Sequence, residues 1–184
     1  MSSVKKFCIC AICAALCCVL PPVFHAMALG AAFSPLHFPV LLCGLVCGWP
    51  YGILCGLVGP LLSSLISGMP GASQLIYMVP ELCAYGLFSG LLLKFIHTGR
   101  LTADLYLALV PTLLLGRIVG GIIRAIFYLS SAQSYSLAIW ASAYIIGTIP
   151  AIILQLVALP VLVTVLMKAS LIPPRYPAPA AAEA

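Results

Sequence analysis

Charge is what this sequence has least of. Only 6% of its 184 residues are charged, and only three of them are acidic. A soluble domain carries roughly 25% charged residues, so an ordinary globular protein, a disordered chain and a nucleic-acid binder are excluded. Three acids are too few for paired-carboxylate chemistry. The G-x-x-x-x-G-K-[ST] phosphate loop, H-E-x-x-H and G-x-S-x-G are also missing, so the chain does not hydrolyse ATP by that route. No enzyme is expected, and no cofactor.

Apolar length fills the place of charge. Hydrophobic residues make up 64% of the chain, with a mean hydropathy of +1.25. A helix crossing the hydrocarbon core needs about 20 residues, which leaves room for about five or six spans and little else. The expectation is an all-α, polytopic membrane protein. Residues 1–172 would form a six-transmembrane-helix bundle, and 173–184 a disordered tail rich in Pro and Ala. The first apolar run goes from Phe7 to Leu20, where Pro21 and Pro22 are expected to break it. The second, Pro35 to Cys47, is short for a crossing. The others run from the Trp49-Pro50 break to Ile66, Gln74 to Ile96, Leu105 to Tyr128 and Leu137 to Met167, the last interrupted by Pro150 and Pro160. Lys5, Lys6, Lys94, Arg100, Lys168 and Arg175 fall on the side of the termini, which predicts that both ends are cytoplasmic.

All nine cysteines lie inside apolar stretches and read as small, soft packing groups. Cys8, Cys10 and Cys13 have no further pair nearby to complete four ligands, so no metal is expected. Small residues recur every four positions at Ala11 and Ala15, and again at Gly44, Gly48, Gly52 and Gly56. Such spacing lets helices approach closely, either within the protein or against a second membrane protein.

An ionisable group at mid-membrane costs a few kcal/mol and marks a functional candidate. Three occur here: Glu81 in the fourth run, and Arg117 and Arg124 in the fifth. Gln74, Tyr77, Glu81 and Tyr85 follow at intervals of three or four, which puts them on one helical face. Arg117, Gly121, Arg124 and Tyr128 form a second stripe, and Trp140, Tyr144, Thr148 and Gln155 a third. Together they predict a pocket open to the exterior, with His37 and His25 placed to help close it. A buried Glu–Arg pair that merely orders the bundle would account for one arginine but not the second. Arg pairs readily with carboxylate or phosphate, so the expected ligand is a small organic body carrying an acid group.

Three stretches are familiar: Ser34-Pro35-Leu36-His37-Phe38-Pro39-Val40-Leu41-Leu42-Cys43-Gly44, Gly59-Pro60-Leu61-Leu62-Ser63-Ser64-Leu65 through Gly68-Met69-Pro70, and Pro80-Glu81-Leu82-Cys83-Ala84-Tyr85-Gly86. In these the chain resembles the substrate-binding S components of energy-coupling factor (ECF) transporters, which import vitamins and related micronutrients in prokaryotes. The resemblance implies a six-helix protein in the cytoplasmic membrane that captures its substrate from outside. It also implies docking onto a transmembrane coupling subunit carrying two ATPase subunits, which explains the missing phosphate loop. The family's Ala-x-x-x-Ala docking motif is matched by Ala11 and Ala15. Within the family the chain looks most like the pantothenate type, whose carboxylate suits two arginines. A stand-alone, ion-coupled secondary transporter for a small organic anion is the alternative, though no inverted repeat links the two halves.

Overall fold

The computed structural model describes residues 1–27, 33–130 and 147–176. Six helices are described: α1 (Ser3–Ala26), α2 (His37–Cys47), α3 (Trp49–Ser67), α4 (Ala72–Phe95), α5 (Leu101–Ser130) and α6 (Ile149–Lys168). No strand occurs among the described residues. All but α2 are long and apolar enough to cross a membrane.

In hydrocarbon every backbone polar group must be satisfied within the segment, which is why these apolar runs become helices. One expectation needs correction. Pro21 and Pro22 do not end the first helix, which continues to Ala26. A proline removes one hydrogen bond and crowds the preceding turn, but with no water to take up freed groups the helix is still the least costly path. Pro60, Pro80, Pro111 and Pro160 likewise lie inside α3, α4, α5 and α6. The last run differs from its expected course. Residues 147 and 148 form a turn, Pro150 stands in the first turn of α6, and 131–146 lie outside the described residues.

The glycine series resolves into internal packing. A methyl group on Gly52 would meet the Gly86 carbonyl oxygen at 2.3 Å, and one on Gly56 the Leu82 backbone at 2.7 Å. On Gly90 it would meet the Trp49 backbone nitrogen at 2.2 Å. Helices α3 and α4 therefore touch backbone to backbone. Gly48, at φ +94°, makes the tight passage from α2 into α3 that a side chain would strain. At the far end of α3, Gly68 caps the helix in the left-handed region, and the Ser63 and Ser64 hydroxyls donate to the carbonyls of Met69 and Pro70 at 2.7 and 2.8 Å.

Helix α4 is central, packing against α2, α3 and α5, while α1 covers α2 and α3, and α6 contacts α5 and α2. The start of the predicted tail is tied down. Arg175 donates to Asp104 at 2.8 Å and to the carbonyls of Leu93 and Ile96, and Tyr176 donates to Asp104 at 2.5 Å. The bulk of the tail, 177–184, lies outside the described residues.

Candidate functional site

Along one face of α4 the side chains pass from exposed Gln74, through half-buried Tyr77, to Glu81 and Tyr85, which are 4% and 1% exposed. At 1.5 Å per residue this descent covers about 16 Å. The spacing of three and four that predicted a single face has produced one, and it borders a cavity of about 260 Å³. Arg117 and Arg124 of α5 line the same cavity, with His37 of α2 and Gln155 of α6. The two arginines are seven residues apart, so they stand at two levels about 10 Å from each other along the helix.

Arg117 is the deeper and is 8% exposed. Its guanidinium donates to the Tyr85 hydroxyl at 3.3 Å, the Leu113 carbonyl at 3.0 Å and the Thr148 hydroxyl at 3.2 Å. These three acceptors hold the guanidinium in place at the floor of the cavity. Arg124 lies over the Tyr77 ring, 4.3 Å from its centroid, and Phe127 packs against the same ring at 6.0 Å. That cation–π contact fixes the upper guanidinium at the side of the cavity.

Glu81 has a histidine beside it. His37 Nε2 is 3.5 Å from Glu81 Oε1, and the His37 ring meets Tyr85 edge-on at 4.9 Å. Room for the acid comes from α5. A methyl group at Gly120 would lie 2.5 Å from the Glu81 carboxyl carbon, and one at Gly116 would lie 2.3 Å from the Tyr85 ring. The two glycines are notches that receive the two most buried side chains of the Gln74–Tyr85 stripe.

Of the eight residues singled out from sequence, Glu81, Arg117, Arg124, Gln74, Tyr77, Tyr85 and His37 share this cavity. Tyr144 lies outside the described residues, as does Trp140. His25, the other histidine, bonds within its own helix at 3.1 Å to the Pro21 carbonyl. Ser34 and Met78 also line the cavity and carried no sequence signal, one being in a connection and the other between stripe positions. Thr148 and Gln155 were legible only as members of a helical stripe. Groups of His, Cys, Asp and Glu able to hold a metal are absent among the described residues.

The described residues thus form a helical bundle suited to a membrane, with a polar hollow lined by two arginines and one glutamate. A model described as ECF transporter, substrate-specific component, matches residues 5–172, and the chain belongs to that family. Comparison with curated proteins and with solved structures gives no match. The protein is thus an integral cell-membrane, substrate-binding component of a transporter rather than an enzyme, and it works with ECF coupling and ATPase subunits.

Proposed function

We propose that the cavity between α2, α4, α5 and α6 captures a small anionic vitamin or vitamin precursor from outside the cell, with pantothenate the favoured candidate. The observation that carries this reading is the charge balance of the lining. Its ionisable lining holds two arginines, Arg117 and Arg124, and one acid, Glu81. A carboxylate offsets that surplus, and a guanidinium fork accepts it in bidentate fashion. Tyr77, Tyr85 and Met78 suit a compact, partly apolar body. The basic residues gathered at the end with both termini support an outward-facing cavity and a cytoplasmic docking end.

Docking is assigned to α1. Cys10, Cys13, Ala14 and Cys17 face the protein, whereas Ala11 and Ala15 are exposed on the opposite side. Two small residues one turn apart on an unoccupied face suit close approach by a helix of the coupling subunit.

Mass spectrometry of the small molecule that copurifies with the protein tests the proposal. A carboxylate-bearing solute supports it, and a cationic or uncharged one overturns it.

A further inference from the structure

We infer that the solute carries hydroxyl groups as well as its acid, and that Gln155 selects for them. The inference rests on the solute-capture reading above and deepens it.

Helix α6 is otherwise built from Ile, Leu, Val, Ala, Pro and Met, with three polar exceptions. Lys168 ends the helix, and the Thr164 hydroxyl donates to the Pro160 carbonyl at 2.7 Å. Gln155 is the third. It sits six residues into the helix, about 9 Å along its axis. It is 2% exposed, lines the cavity, and its Oε1 is enclosed without a hydrogen-bond partner. An unpaired amide oxygen in a buried site is costly, and leucine at this position would remove the cost at once. The polar group therefore calls for a partner from outside the chain.

A second orphan borders the same hollow. His37 Nδ1 is buried and has no partner, while Nε2 faces the Glu81 carboxylate. An amide oxygen and an imidazole nitrogen on two helices that contact each other, neither with a hydrogen-bond partner, thus edge one cavity. A hydroxyl both donates and accepts, so a hydroxylated solute can satisfy both, whereas one made only of hydrocarbon and carboxylate leaves the Gln155 oxygen unpaired.

Matched acids test this on the full chain purified in detergent. The pairs are pantothenate with N-(3,3-dimethylbutanoyl)-β-alanine, which lacks both hydroxyls, and mandelate with phenylacetate. Binding is read by equilibrium titration and by the shift in melting temperature. We expect the hydroxylated member of at least one pair to bind about tenfold more tightly, or about 1.4 kcal/mol. That preference should disappear in Gln155→Leu and in Gln155→Met, which retain binding of the deoxy acid and melt no lower than wild type when empty. Equal affinity within every pair, or a preference that survives both substitutions, overturns the inference and leaves Gln155 serving a buried water or the fold only. Absence of binding by every acid overturns it together with the anion reading. An Arg124→Ala control separates the two, because it weakens both members of a pair alike.

Discussion

Gly120→Ala probes how closely the acid of α4 is seated against α5. The added methyl group would lie 2.5 Å from the Glu81 carboxyl carbon and 2.8 Å from Cγ and Oε2. Carbon atoms pack at about 3.5 to 4 Å, so the side chain must retreat by roughly 1 Å. An exposed glutamate would simply swing aside. Glu81 is 4% exposed, with His37 at its carboxylate and the notched face of α5 across from it. Overpacking of this kind costs about 1 to 3 kcal/mol, and the better helix propensity of alanine returns up to about 1 kcal/mol. The expected net loss is therefore small, about 0 to 2 kcal/mol, whereas displacement of Glu81 should weaken solute binding by about tenfold. Two controls bracket it. Gly71→Ala adds a methyl group with nothing within 4 Å and should change neither quantity. Gly52→Ala drives one to 2.3 Å from a backbone oxygen of α4, so whole helices must part and the loss should be the largest of the three. Thermal unfolding can be followed by thiol labelling, because Cys17, Cys43 and Cys55 have no exposed surface until the bundle opens. Wild-type affinity and melting in Gly120→Ala would refute the close seat of Glu81, and equal melting of Gly52→Ala and Gly71→Ala would refute the backbone contact of α3 with α4.

Three further outcomes follow from the same geometry. Arg117→Ala and Arg124→Ala should each weaken binding of an acid by about 1.5 to 3 kcal/mol, the value of a hydrogen bond to a charged group. Arg117→Ala should also lower the melting temperature of the empty protein, since it releases Tyr85 and Thr148, and unchanged affinity in both variants would remove the anion argument. Ala11→Trp or Ala15→Trp should abolish assembly with the coupling subunit in a pull-down while leaving solute binding intact, and an intact complex would show that docking uses another face. Arg175→Ala removes a donor to Asp104 and the cap on the last carbonyls of α4, so limited carboxypeptidase digestion should pass Tyr176 more readily than in wild type. Equal digestion would mean that Tyr176, through its bonds with Asp104 and the Gly99 N–H, holds the segment without Arg175.

The sequence disclosed what depends on local periodicity. Gln74, Tyr77, Glu81 and Tyr85 could be placed on one face because three- and four-residue spacing is all a helix needs to align them. The company these residues keep depends on which helices meet, which periodicity does not encode. Glu81 was set against two arginines on the fifth run, yet its neighbour in the structure also includes His37, 44 positions away. Gly116 and Gly120 have the same four-residue spacing as Gly52 and Gly56, although the first pair receives side chains and the second receives backbone. The junction of Arg175 with Asp104 spans 71 positions and left no local trace. Pro21 and Pro22 misled for a different reason. Their turn-forming character is a rule of aqueous chains, and it weakens where no water waits for the freed carbonyls.

The distribution of glycine divides the bundle mechanically. Gly52, Gly56, Gly86 and Gly90 join α3 to α4 backbone to backbone, so these helices can part only by breaking a continuous row of close contacts. Helix α6 contains no glycine and rests on α5 and α2 through Leu, Ile and Val. Side-chain contacts tolerate small shifts that a backbone seam does not. The cavity borders α6, where Arg117 of α5 reaches Thr148 just ahead of the helix and Gln155 Oε1 has no partner. A solute lodged there would tie α6 to α4 and α5, adding contacts the empty bundle lacks. Amide hydrogen exchange in detergent should therefore show slow exchange through Gly52–Gly56 and Gly86–Gly90 with or without solute. The first turns of α6 should exchange faster when empty and slow by about tenfold on saturation with the bound acid. Protection gained equally by α3 and α6 would show that the bundle tightens as one body and that the glycine seam does not set the division.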